Sequence, residues 1–309
     1  MQRLSMPMVI DSAHWLGLDY LFNPQKRLYW GYLLSTVCIV VFYCALKRHS
    51  LTDTLDKKIW WHPSARLDYT YFIVASIIKV GLVLPWMLGV GEATFWTLQL
   101  METLLGYQQK IIIDRQWIVL SYTLALFLLS DLSRYCLHRL MHTIPLLWKF
   151  HQVHHSAEVL TPVTFYRVHP LENILFGLRY TLVTGLITGI FIHFYGANLA
   201  ILDIIGVNSI VFLFHILGDN LRHSSIHLGY FDTLEKWLIS PAQHQYHHTI
   251  TGTQVNYGGI LSLWDRLFSS LRLSSQEDHY HYGLDEKITK FNSVWQLLSQ
   301  PFLLFKTKS

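Results

Sequence analysis

The chain has 309 residues, 51% of them apolar and only 14% charged, against about 25% charged in ordinary soluble domains, a deficit that points to a surface facing lipid. Its net charge of +4 fits contact with anionic head groups, but there is no dense basic run of the kind nucleic acid requires, so nucleic acid is excluded as a partner. The length suits one membrane domain with a cytosolic cap.

In chain order, Met1 to Asn23 carries Asp11 and Asp19 and lacks the basic-then-apolar layout of a cleaved signal peptide, so internal segments are expected to direct insertion. Five apolar stretches follow: Leu28 to Leu46, Tyr69 to Val90, Trp117 to Ser133, Ile174 to Tyr195 and Ala197 to Leu217. Each approaches the roughly 20 residues that cross a hydrocarbon core. The third is short and is expected to run on into the helix bearing the first histidines. Little more than Gly196 separates the last two, which predicts a tight transmembrane hairpin. Lys79, Asp203 and Asn208 fall inside these stretches and are expected to face the protein interior, since polar groups in lipid are costly, with pairing to an unidentified acid as the alternative for Lys79. The expected fold is all-α, a membrane bundle of four to five spans with a helical cap.

Lys47, Arg48, Lys57, Lys58 and Arg66 lie between the first and second stretches, whereas only Lys110 and Arg115 lie between the second and third. This bias places the first loop in the cytoplasm, and with it residues 134–173 and 218–309. Cys38, Cys44 and Cys136 show no disulfide or CxxC spacing and are expected to be reduced core residues.

Most of the 18 histidines from position 138 onward are clustered. His138 and His142 form HRLMH, His151, His154 and His155 form HQVHH, His223 and His227 form HSSIH, and His244, His247 and His248 form HQYHH. At this histidine frequency an HxxHH triple is expected by chance about 0.06 times; it occurs twice. Residues three or four apart on a helix share a face, so each triple is expected to aim its imidazoles at a single point. Ten imidazoles are too many for one ion and suit two, with positions left for O₂ or water. Imidazole alone does not select among Zn, Cu, Fe and Ni. The absence of HExxH argues against a hydrolytic zinc site, and a histidine-rich dimetal site beside lipid favours iron and O₂ activation.

The stretch from Asp131 to Glu172, DLSRYCLHRLMHTIPLLWKFHQVHHSAEVLTPVTFYRVHPLE, resembles the core of the fatty acid hydroxylase and sterol desaturase superfamily. So does Leu221 to Phe268, with LRHSSIHLGY, SPAQHQYHH, NYGG and LWDRLF. The resemblance implies a non-haem di-iron membrane oxygenase in which His138, His142, His151, His154, His155, His223, His244, His247 and His248 bind metal. His227 matches less well, and ligand, orienting donor or exposed residue all stay open for it. His169, His215 and Asp131 are candidates for orienting the ligands from outside, although an Asp131–Arg134 salt bridge is the simpler account of that pair. Asn256, Trp264, Asp265 and Arg266 are expected to hold the cap together. His279 and His281 have too little context to interpret. On this reading residues 1–116 form a membrane region with two spans, 117–270 the catalytic domain and 271–309 a tail.

The implied reaction is O₂-dependent hydroxylation of a membrane lipid C–H bond by two iron ions cycling between Fe²⁺ and Fe³⁺, with desaturation as the alternative. No dinucleotide fingerprint, haem-attachment motif or iron–sulfur spacing is present, so electrons are expected from a separate donor, cytochrome b5-like or a ferredoxin with its reductase. A metal transporter or storage protein would also collect histidines, but transport predicts ligands at mid-membrane within spans, whereas these clusters fall outside them. With no dilysine or KDEL ending, a bacterial inner membrane is preferred to the ER membrane, with the site on the cytoplasmic side.

Overall fold

The computed structural model describes residues 12–47, 50–276, 280–285 and 291–303; Asp11, Arg48 and His279, each used above, lie outside them. Nine of the described helices have seven residues or more. They are α1 (Trp30–Lys47), α2 (Pro63–Ile78), α3 (Val90–Leu105), α4 (Arg115–Thr143), α5 (Pro145–His155), α6 (Pro170–Tyr195), α7 (Ser209–Ile216), α8 (Pro241–His247) and α9 (Val294–Leu303). The only strands among the described residues are two residues long, β1 (Asp203–Ile204) and β2 (Val207–Asn208), paired antiparallel.

Four segments are long and apolar enough to cross a membrane: Trp30–Lys47, Pro63–Leu105, Arg115–Thr143 and Pro170–Tyr195. Only 17% to 22% of each apolar window is buried inside the protein, so most of this apolar surface faces outward, as a lipid-embedded helix requires. The second segment extends beyond the expected stretch. It runs from α2 through a π-helical turn, Lys79–Val83, and a 3₁₀ turn containing Pro85 into α3.

The fifth apolar stretch is not a spanning helix. Gly196 ends α6 with φ 88°, and the chain returns through the β1–β2 turn and the eight residues of α7, far short of the roughly 20 a helical span needs. Polar residues dictate this break. Asp203 Oδ1 accepts from Gly206 N at 3.0 Å, and Asn208 caps α7 while donating to Thr123 O at 3.3 Å. Asp203 is therefore exposed in a turn rather than facing the interior. Among the three free cysteines only Cys44 is buried; Cys38 and Cys136 lie exposed on α1 and α4.

The bundle centres on α6. Gly185 lies against Ala93 and Gly189 against Thr97, so α3 and α6 run parallel, and a Cβ at Gly185 would sit 2.4 Å from that of Ala93. Small residues at such a crossing let backbones approach closely. On the other side α4 runs antiparallel to α6, joined by Tyr122 to Thr188 at 2.7 Å and by Arg179 to Ser130 O and Ser133 Oγ, each at 2.8 Å. Above the bundle, Tyr71 of α2, Val153 of α5, and Phe291 and Leu297 near the C-terminus form a buried apolar cluster. Arg167, fully buried, pairs with Asp68 of α2 and donates to Ser64 O at 2.7 Å and Ser156 Oγ at 3.1 Å. That staple fixes the segment following HQVHH to α2.

Candidate metal centre

Local signals place each histidine. The third apolar stretch and HRLMH form one helix, α4, so His138 and His142 leave the bundle one turn apart. Ile144 breaks the helix and Pro145 opens α5, whose last turn carries His154 and His155; proline at a first helical turn has no N–H to lose. The four residues SPAQ start α8 with a capping box. Ser240 Oγ accepts from Gln243 N at 3.1 Å and Gln243 Oε1 accepts from Ser240 N at 2.9 Å. His223 comes from the 3₁₀ turn Asp219–His223.

These segments bring nine imidazoles into two adjoining groups. One contains His138, His142, His151, His155 and His247, the other His154, His223, His244 and His248, and within each group the candidate ligand atoms lie within 4.8 Å of one another. The groups adjoin through His155 and His248, whose rings stack at 4.5 Å. The expectation that each triple aims at a single point is overturned. His151 and His155 serve the first group while His154 serves the second; His244 and His248 serve the second while His247 serves the first. The helical repeat explains the split, because successive residues are rotated by about 100°. The i and i+4 positions can share a target, but the adjacent i+3 and i+4 positions diverge.

The geometry fits metal. Nε2 atoms approach at 3.2 Å for His138 with His151 and with His247, and at 3.1 to 3.4 Å among His223, His244 and His248. Ligands at metal–nitrogen distances near 2.1 Å and ordinary ligand angles stand about 3.0–3.4 Å apart. Both nitrogens of His142 and His155 are buried without a hydrogen-bond partner, an arrangement a cation would satisfy. Burial is the leading cause holding His154, His155, His223, His244 and His248 well below the usual imidazole range; the next is a neighbouring imidazole in four of them and Arg27 for His223. Burial likewise lowers His247 to about 3, although its bond to Val255 O opposes the shift. Metal ligation needs neutral imidazole, which these surroundings supply.

Several ring orientations are set from outside. His138 Nδ1 bonds Tyr257 O at 2.7 Å and His247 Nδ1 bonds Val255 O at 2.7 Å, leaving Nε2 of each for a metal. The loop offering both carbonyls is held by two carboxylates. Asp265 accepts from Tyr257 N and Gly258 N, both at 2.8 Å, and Asp131 accepts from Ile260 N, Leu261 N and Trp264 Nε1 at 2.9 to 3.0 Å. Asp131 thus braces this loop and forms no salt bridge with Arg134 among the described residues. Asn256 ties the same loop to Gln243 O.

His227 belongs to neither group. Its Nδ1 donates to Gln245 Oε1 at 2.7 Å, while Gln245 Nε2 donates to Leu221 O and Ile226 O at 2.7 and 2.8 Å; the pair holds the loop carrying His223. His169 caps α6 through Leu171 N and reaches Leu298 O, touching no clustered imidazole by a hydrogen bond. His215 bonds Asp219 at 2.7 Å, and Asp219 also pairs with Arg27 and Arg222 at 2.8 and 2.9 Å. His281 contributes only its carbonyl, to Ile250 N. Glu172, not singled out in the sequence, accepts from His151 Nδ1 at 2.9 Å, with both side chains buried. Its only sequence signal was its place at the end of RVHPLE.

A cavity of about 360 Å³ reaches His138 and His151 of the first group and His154, His223 and His244 of the second. Its far wall is made by Tyr20, Lys26, Phe72 and Lys79, so the N-terminal third of the chain helps shape the chamber.

Residues 123–270 match the model of the fatty acid hydroxylase family. Alkylglycerol monooxygenase of Danio rerio is 30% identical over 57% of this chain and 36% of its own length. The Delta(7)-sterol 5(6)-desaturase of Eremothecium gossypii is 26% identical over 86% of this chain and 68% of its own. Ornithine lipid hydroxylase OlsE of Rhizobium tropici is 25% identical over 93% and 80%. The chain thus spans little more than a third of the first of these relatives. No solved structure matches.

Proposed function

Because the chain carries a fatty acid hydroxylase domain over residues 123–270, we propose that it is a membrane oxidoreductase that hydroxylates a lipid C–H bond with O₂. The observation carrying this reading is the division of nine imidazoles into two adjoining groups that open on one cavity. In it, His138, His142, His151, His155 and His247 hold one iron ion, and His154, His223, His244 and His248 hold the other. Bound there, the pair supplies O₂ activation and C–H oxidation, chemistry no side chain provides.

The protein's own part is placement. Tyr257 O, Val255 O and Glu172 orient three imidazoles, burial keeps the ligands neutral and excludes water, and the cavity brings substrate to both groups at once. The catalytic region is residues 117–270, and residues 1–116 add the membrane anchor and the far cavity wall. An external electron donor, cytochrome b5-like or a ferredoxin with its reductase, would supply the two electrons that hydroxylation with O₂ consumes. The site faces the cytoplasm on the positive-inside argument, in a bacterial inner membrane or, as the alternative, in the ER membrane.

Desaturation is the second reading, supported by the sterol desaturase match over 86% of the chain, as hydroxylation is by the ornithine lipid hydroxylase match over 93%. Lipid profiling by mass spectrometry, with and without the active protein and with metal analysis of the purified chain, tests both. A product heavier by one oxygen supports hydroxylation. Loss of two hydrogens with no gain of oxygen transfers the assignment to desaturation, and zinc with no iron would sink both.

A further inference from the structure

The cavity beside the histidines is strongly cationic. Six of its lining residues are Lys26, Arg27, Lys79, Arg134, Arg179 and Arg222, against a single lining carboxylate, Glu172. Asp219 pairs with both Arg27 and Arg222, at 2.8 and 2.9 Å, and Glu172 is turned to His151. The other four cations form no ion pair with any described carboxylate.

All four are half-buried, and Lys79, Arg134 and Arg179 lie within membrane-crossing segments, where an unpaired charge is expensive and is kept for function. Lys79 opens the π-helical turn of the second span, a local distortion frequent at functional sites. Its ammonium reaches only the hydroxyl of Tyr20, at 3.4 Å, and Lys26 sits over the face of the same ring at 4.9 Å. The two ammoniums are thus held near one another, with no carboxylate at ion-pair distance from either; Asp19, paired with His14, acts on both from farther away. Arg179 spends Nη1 on Ser130 and Ser133, and its Nε is buried with no partner. Arg134 stands one helical turn before His138, placing charge beside the candidate ligands.

We propose that Lys26, Lys79, Arg134 and Arg179 form the head-group subsite of this cavity, and that the lipid it takes carries an anionic phosphate. A carboxylate would balance one of the four charges, whereas a phosphate monoester carries about −1.5 to −2 and three acceptor oxygens, and guanidinium and ammonium groups are its usual donors. An uncharged sterol or glyceryl ether would leave all four cations half-buried and without an ion-pair partner. This inference names the substrate class of the site assigned above and rests on that assignment.

The test is binding, read apart from turnover. The metal-loaded protein in neutral detergent micelles is titrated with phosphatidic acid, with diacylglycerol of identical chains and with inorganic phosphate, following tryptophan fluorescence, while iron per chain is measured on each sample. Phosphatidic acid is expected to bind at least about tenfold more tightly than diacylglycerol, since only its head group makes charge-assisted contacts. Lys79→Gln and Arg179→Gln should each erode that preference with iron content unchanged, and Lys79→Arg should restore it. Equal binding of the two lipids, or a preference untouched by both Gln variants, overturns the head-group site even if the centre holds iron and turns over. Inorganic phosphate binding as tightly as the lipid overturns its assignment to a lipid. Absence of iron with the lipid preference intact overturns the metal reading alone.

Discussion

His154 and His155 are neighbours in sequence yet face different groups, so single substitutions should act on different ions. His154→Ala removes a member of the four-histidine group and His247→Ala one of the five-histidine group. Each is expected to lower iron content and abolish turnover while the protein stays in the membrane; losing even an outer partner costs about 10- to 100-fold in metal affinity. His227→Ala should keep its iron, because that side chain bonds Gln245 instead. Metal analysis of the three purified variants decides this, and wild-type content in both His154→Ala and His247→Ala would contradict the partition.

The lowered imidazole pKa values also carry a sign. In the folded, metal-free protein these rings stay neutral below their ordinary range, His247 down to about 3, whereas unfolded histidine takes up a proton near pH 6.5. The unfolded state then binds more protons, so stability falls as pH drops below about 6.5, by up to about 1.4 kcal/mol per pH unit for each such imidazole. Thermal melting of metal-free protein in micelles should show the melting temperature falling from about pH 7.5 to about pH 5. A flat profile would mean the rings are not buried neutral.

At the scale of elements, the closest packing is between α3 and α6. Gly185 allows it, since a Cβ there would lie 2.4 Å from Ala93 Cβ and 2.8 Å from Ala93 C. Gly185→Leu must push the helices apart and is expected to cost about 1–3 kcal/mol, the range for overpacking a close-packed interior. Melting in micelles reads the loss, and an unchanged midpoint would show that these helices do not meet here. The α3 helix was not legible as a separate element. Its sequence, VGEATFWTLQLMETLL, mixes acids with apolar residues, and only its partner α6 reveals that the face bearing Ala93 and Thr97 is the packed one. By contrast, the run of α4 into HRLMH was legible, because nothing between Trp117 and His142 breaks a helix.

For the whole molecule, the parallel course of α3 and α6 against α4 puts the loop 106–114 at the opposite end of the bundle from the histidines. On the Lys and Arg bias the histidine end is expected in the cytoplasm. With the three native cysteines replaced, Tyr107→Cys and Phe231→Cys, at positions 81% and 84% exposed in their loops, would read the topology. An impermeant thiol reagent added outside intact cells should label Tyr107→Cys and spare Phe231→Cys. The reverse pattern would invert the orientation.

Residue types and local spacing were enough to establish the helical, lipid-facing class and the inventory of imidazoles, because apolar length and side-chain chemistry are properties of short segments. They could not show that Gly196 to Leu217 is not one continuous helix, since hydropathy does not register the hydrogen bonds by which Asp203 and Asn208 favour a turn. Nor could they divide the triples between two groups or pair Glu172 with His151. A helix sets the angle between its own side chains, but which target each one meets depends on three other segments brought from as far as 109 residues away, as His138 meets His247. Those meetings exist only once the chain has folded, and the same holds for the four cations gathered from α4, α6, the π-helical turn and the N-terminal segment into one chamber.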